Sequence, residues 1–327
     1  MRTMHLRGAL GPGSLSIALL LLTGCHPSPW RSTIAAIPRD TAEEIWVSEH
    51  GGAVDAASPR HLHIDWNGPG QDDDVEHQIA LVERAVARHY YGIILSPNNT
   101  FALSNSIQRA VSSGIPVVIT SSGIPIAPEQ GLSFVLNDAG KMGEMAAQRA
   151  NAILNGKGTI AILGLDALSP GTVERSDAFE QTLHRIAPHI EIVAKVSASH
   201  SFGQAELAAQ QTIQAYPRLS AIFALSINDT LGGLAAVRSI QPAHPIKIIG
   251  CDQTLDLLLL LRRGDVDSLI VEDTRTMGFR AVEEIAAERS GQGVPARTLV
   301  APVLVDRENV DDPAIQQVLS VRWRPQK

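Results

Sequence analysis

Cysteine is nearly missing: the 327 residues hold two, Cys25 and Cys251. Cys25 directly follows an N-terminal leader, so a single thiol is left for the folded part, an internal disulfide is excluded, and stability must come from core burial. Blocks of lysine and arginine are absent and the formal charge is −7, so the electrostatic footprint of a nucleic-acid binder is missing. Long apolar runs are missing as well: SLSIALLLL (14–22) and Leu257 to Leu261 both fall short of the roughly 20 residues that cross a bilayer. Neither GxSxG, HExxH, a Walker loop nor GxGxxG occurs, so an enzyme would have to build its site without a local motif. Metal signals are equally thin. His61 and His63 alternate along an expected strand without a third ligand in register, and Asp72 to Asp74 lack the alternation of a calcium loop and suit a solvated helix start. No metal or cofactor is expected.

What is present begins with the leader. Arg2 and Arg7, the short apolar core and then LTGC at Leu22 to Cys25 read as a secretory signal peptide over 1–24. Small residues before a cysteine resemble the lipobox of bacterial lipoproteins, which implies lipidation of Cys25 and a chain held at a bacterial envelope membrane by its anchor. Cleavage there makes the mature chain more negative, because it removes two arginines and no acid. Residues 25–32, with two prolines, form a tether.

From Thr33 short apolar runs alternate with amphipathic stretches. Strands are expected at 33–37, 61–66, 91–96 and 115–120, with helices at 41–57, 74–89 and 100–112 between them. A second series follows Asp138: helix 140–154, strand 159–164, helix 172–187, strand 191–196, helix 203–215, strand 221–226, helix 229–239 and strand 246–251. Such alternation predicts an α/β protein with two Rossmann-like open parallel sheets. Ligands bind beyond the carboxyl ends of such strands, so two facing sheets place a crevice between them. The leucines at 257–261 are expected in an element buried between the lobes.

The strings IAAIPR (34–39), IDWNGP (64–69), QIALVE (78–83), GIILSP (92–97), GIPVVI (114–119), ERSDAF (174–179), IGCD (249–252) and LVDRENVDDP (304–313) stand in an order that resembles the type I periplasmic binding proteins of the ribose and galactose kind. The resemblance covers about Thr33 to Pro313. It implies two lobes joined by a three-crossing hinge, 33–137 plus 273–301 and 138–272 plus 302–327, closing on a small polar solute such as a monosaccharide or polyol. It also implies delivery to an ABC permease, no chemical change to the ligand, and no need for an oligomer. A sensory protein offering its closed form to a membrane receptor or kinase would look the same. An envelope hydrolase on this fold would need a nucleophile and base that no motif supplies.

Site residues follow from the resemblance position by position. Arg175 matches the family arginine, with Ala178 in place of a glycine; the alternative is a surface arginine at a helix start. Asp252 matches a hydroxyl-accepting acid, or else caps a helix. Glu272 stands where sugar binders carry glutamine, so it either favours a donor-rich ligand or pairs with Arg175. Asp138 is a ligand group or a helix cap. Trp46 stacks on a sugar face or is core, and Trp66 is a less secure second aromatic. Ser121, followed by Ser122, replaces an expected acid. Ser226 replaces an expected Asn, with Asn228 two residues late.

Overall fold

The computed structural model describes residues 29–71, 73–99, 101–121, 123–167, 169–197 and 201–321. The leader, Cys25, Asp72 and Ser122 lie outside the described residues. No described helix is long and apolar enough to cross a membrane.

The first half runs β1 (Thr33–Ile37), α1 (Glu44–Ala57), β2 (His63–Trp66), α2 (Val75–Ala87), β3 (Gly92–Leu95), α3 (Ser104–Ser112), β4 (Val117–Ser121) and β5 (Leu132–Asn137). The second runs α4 (Ala139–Leu154), β6 (Lys157–Leu163), α5 (Pro170–Ile186), β7 (His189–Val196), α6 (Phe202–Ala215), β8 (Ala221–Ala224), α7 (Ile227–Ile240), β9 (Lys247–Cys251), α8 (Leu255–Arg263) and β10 (Ser268–Val271). The chain then forms α9 (Thr274–Arg289), β11 (Arg297–Val300), β12 (Val303–Asp306) and α10 (Pro313–Val318).

These strands make two six-stranded sheets of one design, ordered β11-β5-β4-β3-β1-β2 and β12-β10-β9-β8-β6-β7. Pairing is parallel except for β12, which runs antiparallel to β10. The chain passes between sheets after β5, after β10 and between β11 and β12. The inner strands are apolar because both faces are covered: β1, β3, β8 and β10 are buried at every residue. Alternation along β3 sends Ile93 and Leu95 toward α2 and α3, and Ile94 toward α1 and α9. In the second sheet Ile160 and Ile162 join the cluster under α4 and α5, while Ala161 and Leu163 join the one under α6 and α7.

Helix starts are set locally. Asp74, Asp138, Ser201, Ser226, Thr254 and Asp273 each accept a backbone N–H three residues on, a cap worth about 1 kcal/mol. Two expectations need correction. His61 precedes β2 in a left-handed turn at φ 54°, so the two histidines do not share a strand face. Leu257 and Leu261 pack beside Ile248, Leu269 and Val305 on the flank of the second sheet, not between lobes, while Leu255 and Leu259 face solvent. A nine-residue amphipathic helix explains the leucine run: it needs only its inner face covered.

Candidate functional site

Each sheet sends its carboxyl ends toward the other, and the polar residues there are fixed from behind by close helix packing. In the first lobe α1 and α9 touch backbone to backbone. A Cβ on Gly278 would lie 2.0 Å from the carbonyl oxygen of Glu49, and one on Gly52 would lie 1.8 Å from that of Arg275. This approach holds the Glu49 carboxylate under the ends of β3 and β4. There it accepts the Thr120 hydroxyl at 2.7 Å and the Ser96 hydroxyl at 3.2 Å. Burial pushes Glu49 up to about 7, partly offset by the two hydroxyls.

Around it the first lobe is stitched shut. Gln78 donates to the carbonyls of Pro38 at 2.8 Å and Ser96 at 2.9 Å, and accepts from the Asn98 N–H at 2.9 Å. It thereby ties the loops after β1 and β3, the point where strand order reverses and crevices form. Trp46 is 6% exposed and its Nε1 donates to Asp40 at 3.0 Å. Its indole edge is therefore held by the protein. His50 stacks on Trp66 with centroids 4.7 Å apart, and burial lowers that imidazole to about 4, so it is neutral. Ser121 ends β4 at φ 63°, a left-handed conformation that L side chains rarely adopt, with its hydroxyl 3.9 Å from Met277 Sδ.

The second lobe repeats the device with the opposite charge. A Cβ on Gly143 of α4 would lie 2.2 Å from the Arg175 carbonyl oxygen on α5, and this contact seats a 95%-buried guanidinium. Arg175 Nη1 donates to the Leu225 carbonyl at 2.7 Å and Nη2 to Glu272 at 3.2 Å. Arg175 is thus neither a surface arginine nor the start of its helix. Burial works against its charge, yet the carboxyls of Asp252 and Glu272 beside it hold the guanidinium protonated. Cys251 is an inert thiol: burial drives it up to about 12 against the pull of Arg175.

Asp252 leaves β9 at φ 65°, its N–H donating to the Ile270 carbonyl at 2.9 Å, and its Oδ1 is buried with no hydrogen-bond partner. Burial raises its pKa, with Arg175 opposing. Glu272 follows β10 and accepts from Asn137 Nδ2 at 2.5 Å as well as from Arg175. Burial first, and the neighbouring Asp252 second, push it up to about 8 despite Arg175. Two carboxyls share one cation, so one of them keeps its proton near neutral pH. Asn137 is the last residue of β5, so its bond to Glu272 joins the carboxyl ends of the two sheets.

The structure brings Arg175, Asp252 and Glu272 together. It places Asp138 and Ser226 as helix caps: Asp138 accepts the Lys141 N–H at 2.8 Å, and Ser226 accepts the Asp229 N–H at 3.2 Å while donating to Asp229 Oδ2 at 2.5 Å. Asn228 sits in the first turn of α7, half-buried. Glu49 and Asn137 were not foreseen. An acid set between Trp46 and the run His50, Gly51, Gly52 was the available signal for Glu49. Among the described residues no cluster of three metal-ligating side chains occurs.

A family model described as periplasmic binding protein domain matches residues 34–293. The chain is 27% identical over 276 residues to an ABC transporter periplasmic-binding protein of Escherichia coli K12, covering 82% of this chain and 79% of that one. It is 25% identical over 310 residues to the ribose import binding protein of Bacillus subtilis, covering 90% and 97%. Among solved structures, a sugar-binding protein of a sugar ABC transporter from Bacillus halodurans superposes with a TM-score of 0.80 at 27% identity, over 86% of this chain and 99% of that one. A solute binding protein from Actinobacillus succinogenes with bound D-allose gives 0.76 at 25% identity, over 84% and 98%. With a model match over most of its length and two sheets of the matching architecture, the chain belongs to the periplasmic binding protein family.

Proposed function

We propose that this chain is the solute-binding protein of an ABC importer, gripping a monosaccharide or related polyol between two lobes and passing it unmodified to a membrane permease. The family is one of solute binders rather than enzymes, and its members act outside the cytoplasmic membrane. One observation carries the reading for this chain. Arg175, Glu272 and Asn137 form a buried polar junction between the two sheets, where Arg175 Nε, Asp252 Oδ1 and Asn137 Oδ1 have no protein partner. Each unmet buried group costs about 1–3 kcal/mol, and a ligand that bonds to it offsets that cost.

In this reading the lobes are 33–137 with 273–301 and 138–272 with 302–327, joined by three hinge strands. Arg175, Asp252 and Glu272 grip the solute, with Trp46, Ser121 and Asn228 at the crevice wall. Asp138 and Ser226 act through the helix starts they cap. A ligand touching both lobes binds the closed arrangement better, and that differential affinity alone drives closure. The mature chain is held to a membrane through Cys25 and works as a monomer.

The test is a thermal-shift screen of the mature protein against sugars, polyols and nucleosides, followed by calorimetry and X-ray scattering. A solute at 100 times its dissociation constant raises stability by about 2.7 kcal/mol and contracts the scattering profile. A screen without any stabilising solute, or a tight solute that leaves the scattering curve unchanged, overturns the reading.

A further inference from the structure

At the junction of Arg175, Asp252, Glu272 and Asn137, unmet acceptors outnumber unmet donors. Asp252 Oδ1 and Asn137 Oδ1 are buried without protein partners, as is one donor, Arg175 Nε. Asn137 Nδ2 donates to Glu272 Oε1 at 2.5 Å, which leaves its Oδ1 as the unmet atom. Charge leans the same way. Arg175 is the cation acting on both Asp252 and Glu272, and Glu49 adds a third carboxyl whose field reaches Glu272.

A neutral sugar does little to correct this surplus. Each hydroxyl brings one donor and two lone pairs, so it adds acceptors to a site already rich in them. An ammonium group brings three donors and no acceptor, and its bonds to carboxylates are roughly twice as strong as neutral ones. Glu272 in place of the glutamine that the family resemblance implies is the same shift, because a carboxyl that ionises beside a bound ammonium offers acceptors only, which an amide cannot do.

We infer that the solute carries a protonated amine, as an amino sugar or amino polyol does, seated against Asp252 and Glu272 while Arg175 holds neighbouring hydroxyls. This rests on the reading of the crevice as a polyol site and specifies its ligand. It also accounts for two acids beside one guanidinium: the bound amine supplies the second positive charge.

Matched sets decide it. For a range of pentoses and hexoses, calorimetry compares each amino-deoxy sugar with its N-acetyl derivative, which keeps the nitrogen but not the charge, and with its neutral parent. The expected result is at least about tenfold tighter binding of one or more free amines than of both partners in the set. Glu272→Gln should bring that ratio to about threefold or less, and Asp252→Asn provides the same reading where the first variant does not fold. Neutral parents binding as tightly as their amines, or a ratio unmoved in a folded variant, overturns the inference and leaves the sugar-binding reading intact. Failure of amines and neutral compounds alike to bind removes both.

Discussion

The two halves of the crevice use the same carpentry to opposite effect. In each, a glycine lets two helices meet at their backbones and so fixes a charged side chain beneath the strand ends: Gly278 behind Glu49, Gly143 behind Arg175. Yet Glu49 spends its charge inside its own lobe, on Ser96 and Thr120, whereas Arg175 faces Asp252 and Glu272 with polar capacity left over. Glu49 is therefore a finished part of its lobe, although Asn98 and Asn137 keep unmet polar atoms on that side. The second lobe joins its unmet atoms to the buried charges of Arg175 and Asp252, and binding energy should come mainly from that side, with closure adding the first lobe's contacts.

Arg175→Ala is the strongest way to break this asymmetry. It removes the guanidinium and strands two buried carboxyls, so ligand affinity should fall about 30-fold or more and stability by about 3 kcal/mol. Calorimetry and denaturant melts read the two effects separately. Unchanged affinity in a folded variant would take Arg175 out of the site and the asymmetry with it.

The glycine pair tests the shared device. Gly143→Ala and Gly278→Ala each force a methyl onto a backbone carbonyl, so both should destabilise by about 1–3 kcal/mol or more. Only Gly143→Ala should also weaken binding, because it displaces Arg175. Equal losses of affinity in the two variants would mean that both lobes grip alike.

Titration sharpens the contrast further. Glu49 is raised to about 7 and Glu272 to about 8, in both cases chiefly by burial. A raised carboxyl favours the folded state while it is protonated. That contribution is complete below the unfolded value near 4.5 and is lost as pH rises through the folded value. The unliganded protein should therefore melt several degrees lower at pH 8 than at pH 5, by about 2–4 °C per kcal/mol lost. Glu49→Gln should remove the part of the slope ending near pH 7, and Glu272→Gln the part ending near pH 8. A flat melting profile in the parent protein would contradict both shifts.

How much of this could be read in the sequence follows from where the signals sit. Inner parallel strands are buried on both faces, so β1, β3, β4, β6, β8 and β9 announce themselves as apolar runs, and the αβ alternation gives the two sheets. The strand β5 was passed over because Ser133 interrupts its apolar run; in the fold that serine is buried and donates to Glu284 at 2.5 Å. With β5 went Asn137, its last residue and the link between the sheets. Arg175, Asp252 and Glu272 were legible through a family resemblance that marks strand ends. Glu49 was not, since it lies within a helix and becomes a crevice residue only once α9 packs behind it. Trp46 shows the limit of residue type as a guide: nothing in the letters says that Asp40 takes its N–H.

The mildest test concerns Asp138, on the crossing between lobes. Its side chain accepts the Lys141 N–H at 2.8 Å and so starts α4, the helix whose Gly143 seats Arg175. A cap of this kind is worth about 1 kcal/mol, and asparagine fills it nearly as well as aspartate. Asp138→Ala should thus lower stability by about that amount while changing affinity less than about threefold, and Asp138→Asn should restore the stability although its charge is gone. If affinity instead falls tenfold or so in both variants while stability follows the cap, the carboxylate is reaching the solute. The grip would then extend across the hinge, and the first lobe would be less finished than its satisfied Glu49 implies.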